Sequence, residues 1–243
     1  MNTVVLLSGG LDSTTSAAVA KSRGDRLYAL TFDYGQRNRI EIEAARRIGR
    51  FLEVKNQIVF PLDLRLFGGS SLTAEIDVPK NTPYGEIGRS IPNTYVPARN
   101  TVFLAVALAY AETVDAGAIY IGINAVDSSG YPDCRPEFLA AFRNLAAVAT
   151  KKGTEHAGTE NVGTANFGKW AGVPAIEAPL LHLSKGEIIR LGLALGVDYS
   201  LTHSCYDPDS NGLSCGLCET CRLRLRGFAD AGAVDPLPYA AFP

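Results

Sequence analysis

The sequence lacks a surplus of positive charge, and it lacks long hydrophobic runs. Its 243 residues carry 23 Lys and Arg against 25 Asp and Glu, a formal net charge of -2. Because no chain-wide positive field attracts a phosphate backbone, this balance argues against a dedicated nucleic-acid binder. No apolar run approaches the roughly 18 residues of a membrane span, and the N-terminus has no basic signal-peptide region. We therefore expect a cytoplasmic protein that binds neither membranes nor nucleic acids.

Cysteine is scarce outside one short segment, where Cys205, Cys215, Cys218 and Cys221 follow a C-x9-C-x2-C-x2-C spacing. Thiolates two residues apart can turn onto one ion, and tetrahedral zinc takes four such soft ligands. An iron–sulfur cluster tolerates the same spacing, and four free thiols are the plain alternative. Zinc is favoured because no Cys-Pro follows and nothing else in the chain indicates redox chemistry. We expect one structural Zn²⁺ per chain.

Two residues close to the motifs have simpler interpretations. His203 precedes the first cysteine of the group by two residues and could replace it as a ligand, but a complete cysteine set makes that unnecessary. Cys134 stands alone, and a lone thiol is more often a small packed residue than a nucleophile. We expect both to be structural neighbours of the functional groups.

Short β-branched segments alternate with longer helical segments along the chain. Strands are predicted at 3–7, 27–32, 54–60 and 118–123, and helices at 12–23, 40–52, 100–115 and 137–148. This alternation predicts an α/β fold with a doubly wound, Rossmann-like parallel sheet. The helix over 100–115 is apolar on most of its faces, so we expect it to be well buried. A small C-terminal zinc knuckle completes the predicted fold.

Two segments are predicted to be irregular, and one carries a helix-start signal. Residues 61–97 are rich in Gly, Pro, Ser and Asn and are too long for a simple connection, which predicts a functional loop. Residues 151–173 show no hydrophobic period and predict a surface loop. Ser184 and Glu187 match a capping box that opens a helix reaching Leu195.

The first buried strand is followed at once by a loop of small and polar residues. This loop and the first turn after it contain Ser8, Gly9, Gly10, Leu11, Asp12, Ser13 and Thr14. Glycines allow close backbone approach, and hydroxyls with free N–H groups at a helix start form an anion cradle. It is not a Walker A loop, because no Gly-Lys-Ser/Thr follows. A tight turn with capping side chains is the alternative, but a cap needs only one polar residue.

Five stretches together resemble the 7-cyano-7-deazaguanine synthase (QueC) family of the PP-loop ATP pyrophosphatase superfamily. They are Ser8–Thr15, Asp33–Arg37, Tyr95–Asn100, Gly122–Phe138, and His203–Pro208 with the following cysteines. The resemblance covers about residues 3 to 228, with a longer segment at 151–173 than the family normally has. It implies a PP-loop nucleotide-binding and synthase domain over residues 1–200. A zinc-binding region over 201–243 is expected to pack on it.

The resemblance implies an ATP-dependent ligase that converts 7-carboxy-7-deazaguanine and ammonia into 7-cyano-7-deazaguanine in queuosine biosynthesis. Adenylation would activate first the acid and then the amide. The loop from Ser8 to Thr14 would bind ATP with Mg²⁺, and Asp12, Lys185 and Arg99 would be catalytic. A homodimer is implied. We expect ammonia to come from solution, because the chain begins Met1-Asn2 without a cysteine nucleophile and its length leaves no room for a glutaminase.

Candidate substrate residues come mainly from the segment between residues 127 and 137. Asp133 and Glu137 would accept hydrogen bonds from a guanine-like edge, and Tyr131 would stack on the ring. Arg135 or Arg37 would bind the substrate carboxylate.

The two cations expected to be catalytic could instead have purely structural roles. Lys185 could be an exposed first-turn lysine, and Arg99 could belong to a surface ion pair.

Three other functions fit parts of the sequence. A PP-loop tRNA thiolase would use Cys134 or a knuckle cysteine as a sulfur carrier, but the acidic balance and missing RNA-binding domain argue against it. A non-catalytic zinc-knuckle module leaves the Ser8–Thr14 loop (the phosphate loop) unexplained. A ligase that stops at the carboxamide is the nearest variant of the favoured function.

Overall fold

The computed structural model describes residues 1–126, 130–157 and 172–240. Its centre is a five-stranded, fully parallel sheet with the order β3-β2-β1-β4-β5. The strands are β1 (Asn2–Leu6), β2 (Arg26–Asp33), β3 (Asn56–Pro61), β4 (Ala118–Tyr120) and β5 (Ala175–Glu177). Strand order reverses direction between β1 and β4, as in doubly wound folds. The predicted α/β class is confirmed.

Helices cover both faces of this sheet. They are α1 (Leu11–Ser22), α2 (Ile40–Phe51), α3 (Arg99–Thr113), α4 (Pro136–Ala149), α5 (Lys151–Ala157), α6 (Lys185–Ala194) and α7 (Glu219–Asp230). On one face, Leu104 of α3 and Phe142 of α4 pack on strand residues. On the other face, helices α1, α2, α6 and α7 contribute a second core that includes Ile48 and Phe228. Among the described residues, no helix is long and apolar enough to cross a bilayer.

The expectation that α3 is well buried holds only for the face that packs on the sheet. Leu104, Leu108 and Ala111 are buried against the sheet, whereas Ala105 and Ala109 are exposed. The apolar character that suggested deep burial comes partly from alanines. These have small side chains and high helix propensity and are readily accommodated at a helix surface.

The segment predicted as a surface loop begins with a helix instead. Helix α5 follows α4 directly, and the Glu112 carboxylate of α3 accepts a hydrogen bond from the Lys151 backbone N–H at 2.7 Å. This contact satisfies a first-turn amide and favours helix formation there, although Gly153 and Thr154 have low helix propensity. Residues 158–171 of the predicted loop lie outside the described residues.

The predicted capping box is confirmed at the start of α6. The Glu187 N–H donates to the Ser184 hydroxyl, and the Ser184 N–H donates to the Glu187 carboxylate at 2.8 Å. Two of the first-turn amides are thereby satisfied. The cap fixes where α6 begins, and with it the position of Lys185.

The C-terminal region packs closely onto the rest of the chain. Phe228 of α7 belongs to the second core, next to Tyr199. Val78, from the long 61–97 segment, packs with the four cysteines, and Lys80 forms an antiparallel bridge with Cys218. Apart from a 3-10 turn at Leu64–Leu66, that segment consists mainly of turns and irregular backbone.

Candidate active site and metal centre

A pocket opens at the carboxyl edge of the sheet, where β1 and β4 lie side by side. Parallel α/β sheets bind ligands in this crevice, outside the carboxyl ends of strands at the reversal of strand order. Apolar side chains of the strands and of α3 form part of the lining, including Leu30, Phe32 and Phe103. Polar groups from several separate segments complete it. They include Ser8, Asp12, Arg37, Asn38, Glu41, Arg99, Lys185, His203 and Tyr206.

The glycines of this edge are required by close backbone approach. Gly9 has φ +91°, and a Cβ built there would lie 2.2 Å from the Glu41 carbonyl oxygen of α2. A Cβ at Gly122, just after β4, would lie 2.7 Å from the Ser13 backbone nitrogen. Both are far inside van der Waals contact, so the first turn of α1 is held between α2 and the end of β4.

The hydroxyls of the loop hold its shape. The Ser8 and Ser13 hydroxyls lie 3.0 Å apart, and the Thr14 hydroxyl donates to the Gly10 carbonyl at 2.8 Å. The Thr14 N–H donates to that same carbonyl, so the amides of Leu11 to Ser13 come before the first helical hydrogen bond. Such amides carry the positive end of the helix dipole. The loop therefore has the geometry of an anion site.

Lys185 and Asp12 meet at the rim of this loop. The Lys185 ammonium donates to both Asp12 carboxylate oxygens at 2.8 Å, with the two side chains 14% and 29% exposed. Lys185 is thus directed into the pocket, unlike an exposed first-turn lysine. Its catalytic role stays a prediction.

Arg99, the first residue of α3, lies at the other side of the pocket. Its guanidinium donates to the Tyr34 hydroxyl at 3.2 Å and lies 5.9 Å from the Phe103 ring centroid. Burial raises the pKa of Tyr34 to about 12, so this phenol stays protonated. Within the described ranges no carboxylate forms an ion pair with Arg99. Arg99 is therefore placed to meet an anionic ligand.

Of the five predicted substrate residues, the pocket lining includes Arg37 alone. Arg37 lies 3.7 Å from the Asp207 carboxylate in a half-exposed ion pair. The Tyr131 hydroxyl is hydrogen-bonded to Thr94 at 2.7 Å, outside the lining. Arg135 and Glu137 are exposed at the start of α4. The expected grouping of base-reading residues around the pocket is therefore not seen.

Asp133 lies outside the pocket lining, and its side chain caps the start of α3. Its buried carboxylate accepts from the Asn100 backbone N–H at 2.9 Å, and the Asn100 amide donates to the Asp133 carbonyl at 3.0 Å. The N-cap of α3 is Ala98, in the left-handed region at φ 52°, with no side chain able to cap the helix. Asp133 supplies that acceptor from a distant segment, and its role toward a substrate stays a prediction.

Three further polar residues of the lining, Asn38, His203 and Glu41, are not among the predicted site residues. The Asn38 side-chain amide donates to the Cys205 carbonyl at 2.5 Å, and the His203 backbone N–H donates to the Gly9 carbonyl at 2.8 Å. The cysteine segment is thus joined directly to the phosphate loop. A positional signal for Asn38 and Glu41 existed, because they follow the carboxyl end of β2 at the same sheet edge.

The four predicted zinc ligands form one buried group. The sulfur atoms of Cys205, Cys215, Cys218 and Cys221 all lie within 4.8 Å of one another. The Cys215 N–H donates to Cys205 Sγ at 3.2 Å, and the Cys218 N–H donates to Cys215 Sγ at 3.3 Å. A closed set of four soft donors, supported by backbone amides, suits a tetrahedral metal.

The remaining cysteine, Cys134, and the neighbouring His203 are both buried and line the pocket. Cys134 is buried beside Asn100, and burial raises the pKa of its thiol to about 12. Such a thiol is protonated at neutral pH and is a poor nucleophile. His203 is buried outside the four-cysteine group.

Comparison with known proteins gives a consistent result. The model of the family described as queuosine biosynthesis protein QueC matches residues 2–232. A 7-cyano-7-deazaguanine synthase from Kineococcus radiotolerans is 54% identical over 97% of this chain and 96% of its own length. Proteins of the same name from Solidesulfovibrio magneticus and Geotalea daltonii are each 54% identical, over 97% and 98% of this chain and 94% and 96% of their own lengths.

Proposed function

The chain belongs to the QueC family of 7-cyano-7-deazaguanine synthases, and on that premise we propose that it is an ATP-dependent C–N ligase acting on 7-carboxy-7-deazaguanine and ammonia. The observation that carries the ATP part is the convergence of three features on one pocket. These are the anion loop from Ser8 to Ser13, the Lys185 ammonium, and an apolar wall able to accept a base. Together they suit a nucleoside triphosphate.

We propose that the loop amides hold the β- and γ-phosphates while the α-phosphorus faces the substrate oxygen. Lys185 neutralises charge that develops on the departing pyrophosphate, and Arg99 or Arg37 holds the substrate carboxylate. Mg²⁺ bound with ATP would add further charge neutralisation. Positioning and electrostatics are the main contributions of the protein.

A carboxylate oxygen is a poor leaving group, so it must be activated before nitrogen can replace it. The acid oxygen attacks ATP to give an acyl adenylate and pyrophosphate, and ammonia displaces AMP to give the amide. The amide oxygen is then adenylated in its turn, and loss of AMP gives the nitrile. One phosphate site serves both activations.

We propose that the four cysteines hold one structural Zn²⁺. The set is buried and contains only soft sulfur donors. Four cysteines fill all four positions of a tetrahedral ion, so no position is open to water or substrate. Zinc would hold residues 205–221 in one fixed arrangement. His203 lies just before this segment, and its backbone N–H donates to the Gly9 carbonyl, so the segment is connected to the phosphate loop. A cytoplasmic homodimer that takes ammonia from solution completes the proposal.

The rival functions are less well supported. A thiolase needs a reactive thiolate, but Cys134 is buried and its pKa is raised, and the other four cysteines share one cluster.

The mass of the product separates the nitrile synthase from a carboxamide ligase. Purified enzyme with the acid, ATP and ammonium should give the nitrile, and accumulation of the amide alone would contradict the proposal.

A further inference from the structure

We propose that the Glu41 carboxylate is the proton acceptor for the reacting nitrogen, both when the amide forms and when the nitrile forms. This inference rests on the proposed function and names a further catalytic residue for it. Four observations carry it: the position of Glu41, the way its carboxylate is held, the charges around it, and the protons that the reaction must release.

Glu41 belongs to the first turn of α2, which packs directly on the phosphate loop. A Cβ at Gly9 would lie 2.2 Å from the Glu41 carbonyl oxygen, so the two backbones are in close contact. The Glu41 side chain lines the same pocket as Asp12 and Arg99. It therefore faces the space in which the adenylated substrate would lie.

Among the described residues, one neutral donor holds this carboxylate. The Gln36 side-chain amide donates to Glu41 Oε1 at 3.0 Å. The orientation of that amide is set by its other contacts, because Gln36 Oε1 accepts from the Tyr34 N–H at 2.8 Å and Nε2 donates to the Phe32 carbonyl at 3.1 Å. Over residues 1–126, 130–157 and 172–240, no cation forms an ion pair with Glu41 within 4.0 Å. The carboxylate is positioned but not neutralised.

The surroundings adjust its proton affinity. Burial raises the pKa of Glu41 to about 7, with Arg99 opposing the rise and the Gln36 hydrogen bond opposing it further. Titratable or charged groups from each neighbouring element share the pocket: Asp12, Tyr34, Arg37, Arg99, Cys134, Lys185, His203, Tyr206 and Arg224. A carboxylate whose pKa lies near neutral pH can accept a proton and release it again in each catalytic cycle.

The chemistry requires such an acceptor. When ammonia attacks the acyl adenylate, a C–N bond forms, the C–O bond to AMP breaks, and the nitrogen loses one proton. Adenylation of the amide oxygen then leaves a cationic nitrogen with two protons. Both must leave as the nitrogen electrons form the C≡N bond and the second AMP departs. Each of these three protons passes in turn to Glu41, which returns it to solvent through the open pocket before it accepts the next.

The test compares Glu41→Gln with Glu41→Asp and with the control Glu43→Gln. Glu43 is exposed on the same turn of α2, so its replacement probes the helix and not the pocket. Acid-dependent exchange between ATP and pyrophosphate, measured without ammonia, reports on adenylation alone. Amide and nitrile formation report on the steps that release protons.

We expect Glu41→Gln to retain the exchange while amide and nitrile formation slow by about 100-fold or more. The kcat profile of the wild type should rise through about pH 7, and this rise should be absent in Glu41→Gln and present in Glu41→Asp. Glu43→Gln should match the wild type throughout.

Two results would overturn the inference. One is a Glu41→Gln enzyme that forms amide at the wild-type rate with the same pH profile. The other is a raised KM for the acid with an unchanged pH profile, which would make Glu41 a substrate anchor. Failure of the proposed function is distinguishable from both, because the wild type itself would then show no acid-dependent exchange.

Discussion

The Lys185 ammonium lies 2.8 Å from both carboxylate oxygens of Asp12 and joins the first turns of α6 and α1 at the rim of the phosphate loop. The Ser184 cap sets the start of α6, and Gly9 and Gly122 set the position of α1. These contacts fix the two charged groups relative to the loop. Preorganised charge of this kind is effective in stabilising a transition state.

The Asp12–Lys185 pair should affect both activation steps together. We expect Asp12→Asn and Lys185→Met to lower the rates of amide and nitrile formation by about 100-fold each, because one phosphate site serves both. Single-turnover measurements of the two products test this. Lys21→Met is the control, since Lys21 forms an exposed pair with Glu53 at the far end of α1. Loss of only one of the two steps would contradict a shared site.

Gly122 should be intolerant of even a methyl group. In Gly122→Ala the new Cβ would meet the Ser13 backbone nitrogen at 2.7 Å, so the loop must shift. We expect catalysis to fall at least about 10-fold and stability to fall by about 1 to 3 kcal/mol. Gly85→Ala is the matched control, because nothing lies within 4 Å of a Cβ there. Equal thermal and kinetic behaviour of the two variants would contradict the close approach.

The cysteine group should contain zinc. Metal analysis should find about one zinc per chain, without the visible absorption of an iron–sulfur cluster. Cys218→Ser should lose the metal and more than about 2 kcal/mol of unfolding free energy, because the ligands stabilise the folded segment. Cys134→Ser, outside the group, should keep the metal. Stoichiometric iron with acid-labile sulfide in anaerobically prepared protein would refute the zinc assignment.

The environment of Glu41 should be visible in stability as well as in catalysis. Its pKa of about 7 in the folded state lies above the usual 4.5, so between these pH values the folded state binds more protons than the unfolded state. Stability should then fall as the pH rises from about 4.5 to 7. Glutamine cannot ionise, so its stability lacks this dependence on pH. The unfolding free energy of Glu41→Gln should therefore rise by about 1 to 3 kcal/mol relative to that of the wild type as the pH is raised from 5 to 8. Denaturant unfolding at both pH values measures this difference, and a constant difference would contradict the raised pKa.

Features with local causes could be predicted from the sequence. The turn at Ser8, the capping box at Ser184 and the cysteine spacing each depend on residues close together in the chain, so their structures follow from short-range chemistry. Parallel order followed from the alternation of strands and helices.

Features that depend on tertiary contacts could not be predicted. Asp133 caps α3 because Ala98, far from it in sequence, has no side-chain acceptor for the helix amides. Helix α5 forms in a Gly- and Thr-containing segment because Glu112 of α3 reaches its first amide. Glu41 is an intermediate case: its place after the carboxyl end of β2 indicates the sheet edge, but the contact between α2 and Gly9 depends on the tertiary fold.

The fate of the substrate oxygens tests the central claim most directly. Acid labelled in both carboxylate oxygens with heavy oxygen is incubated with the enzyme, ATP and ammonium, and the nucleotide and phosphate products are analysed by mass. If each oxygen leaves on an adenylyl group, one labelled oxygen should appear in each of two AMP molecules per nitrile, with unlabelled pyrophosphate. Label in inorganic phosphate accompanied by ADP would contradict the account.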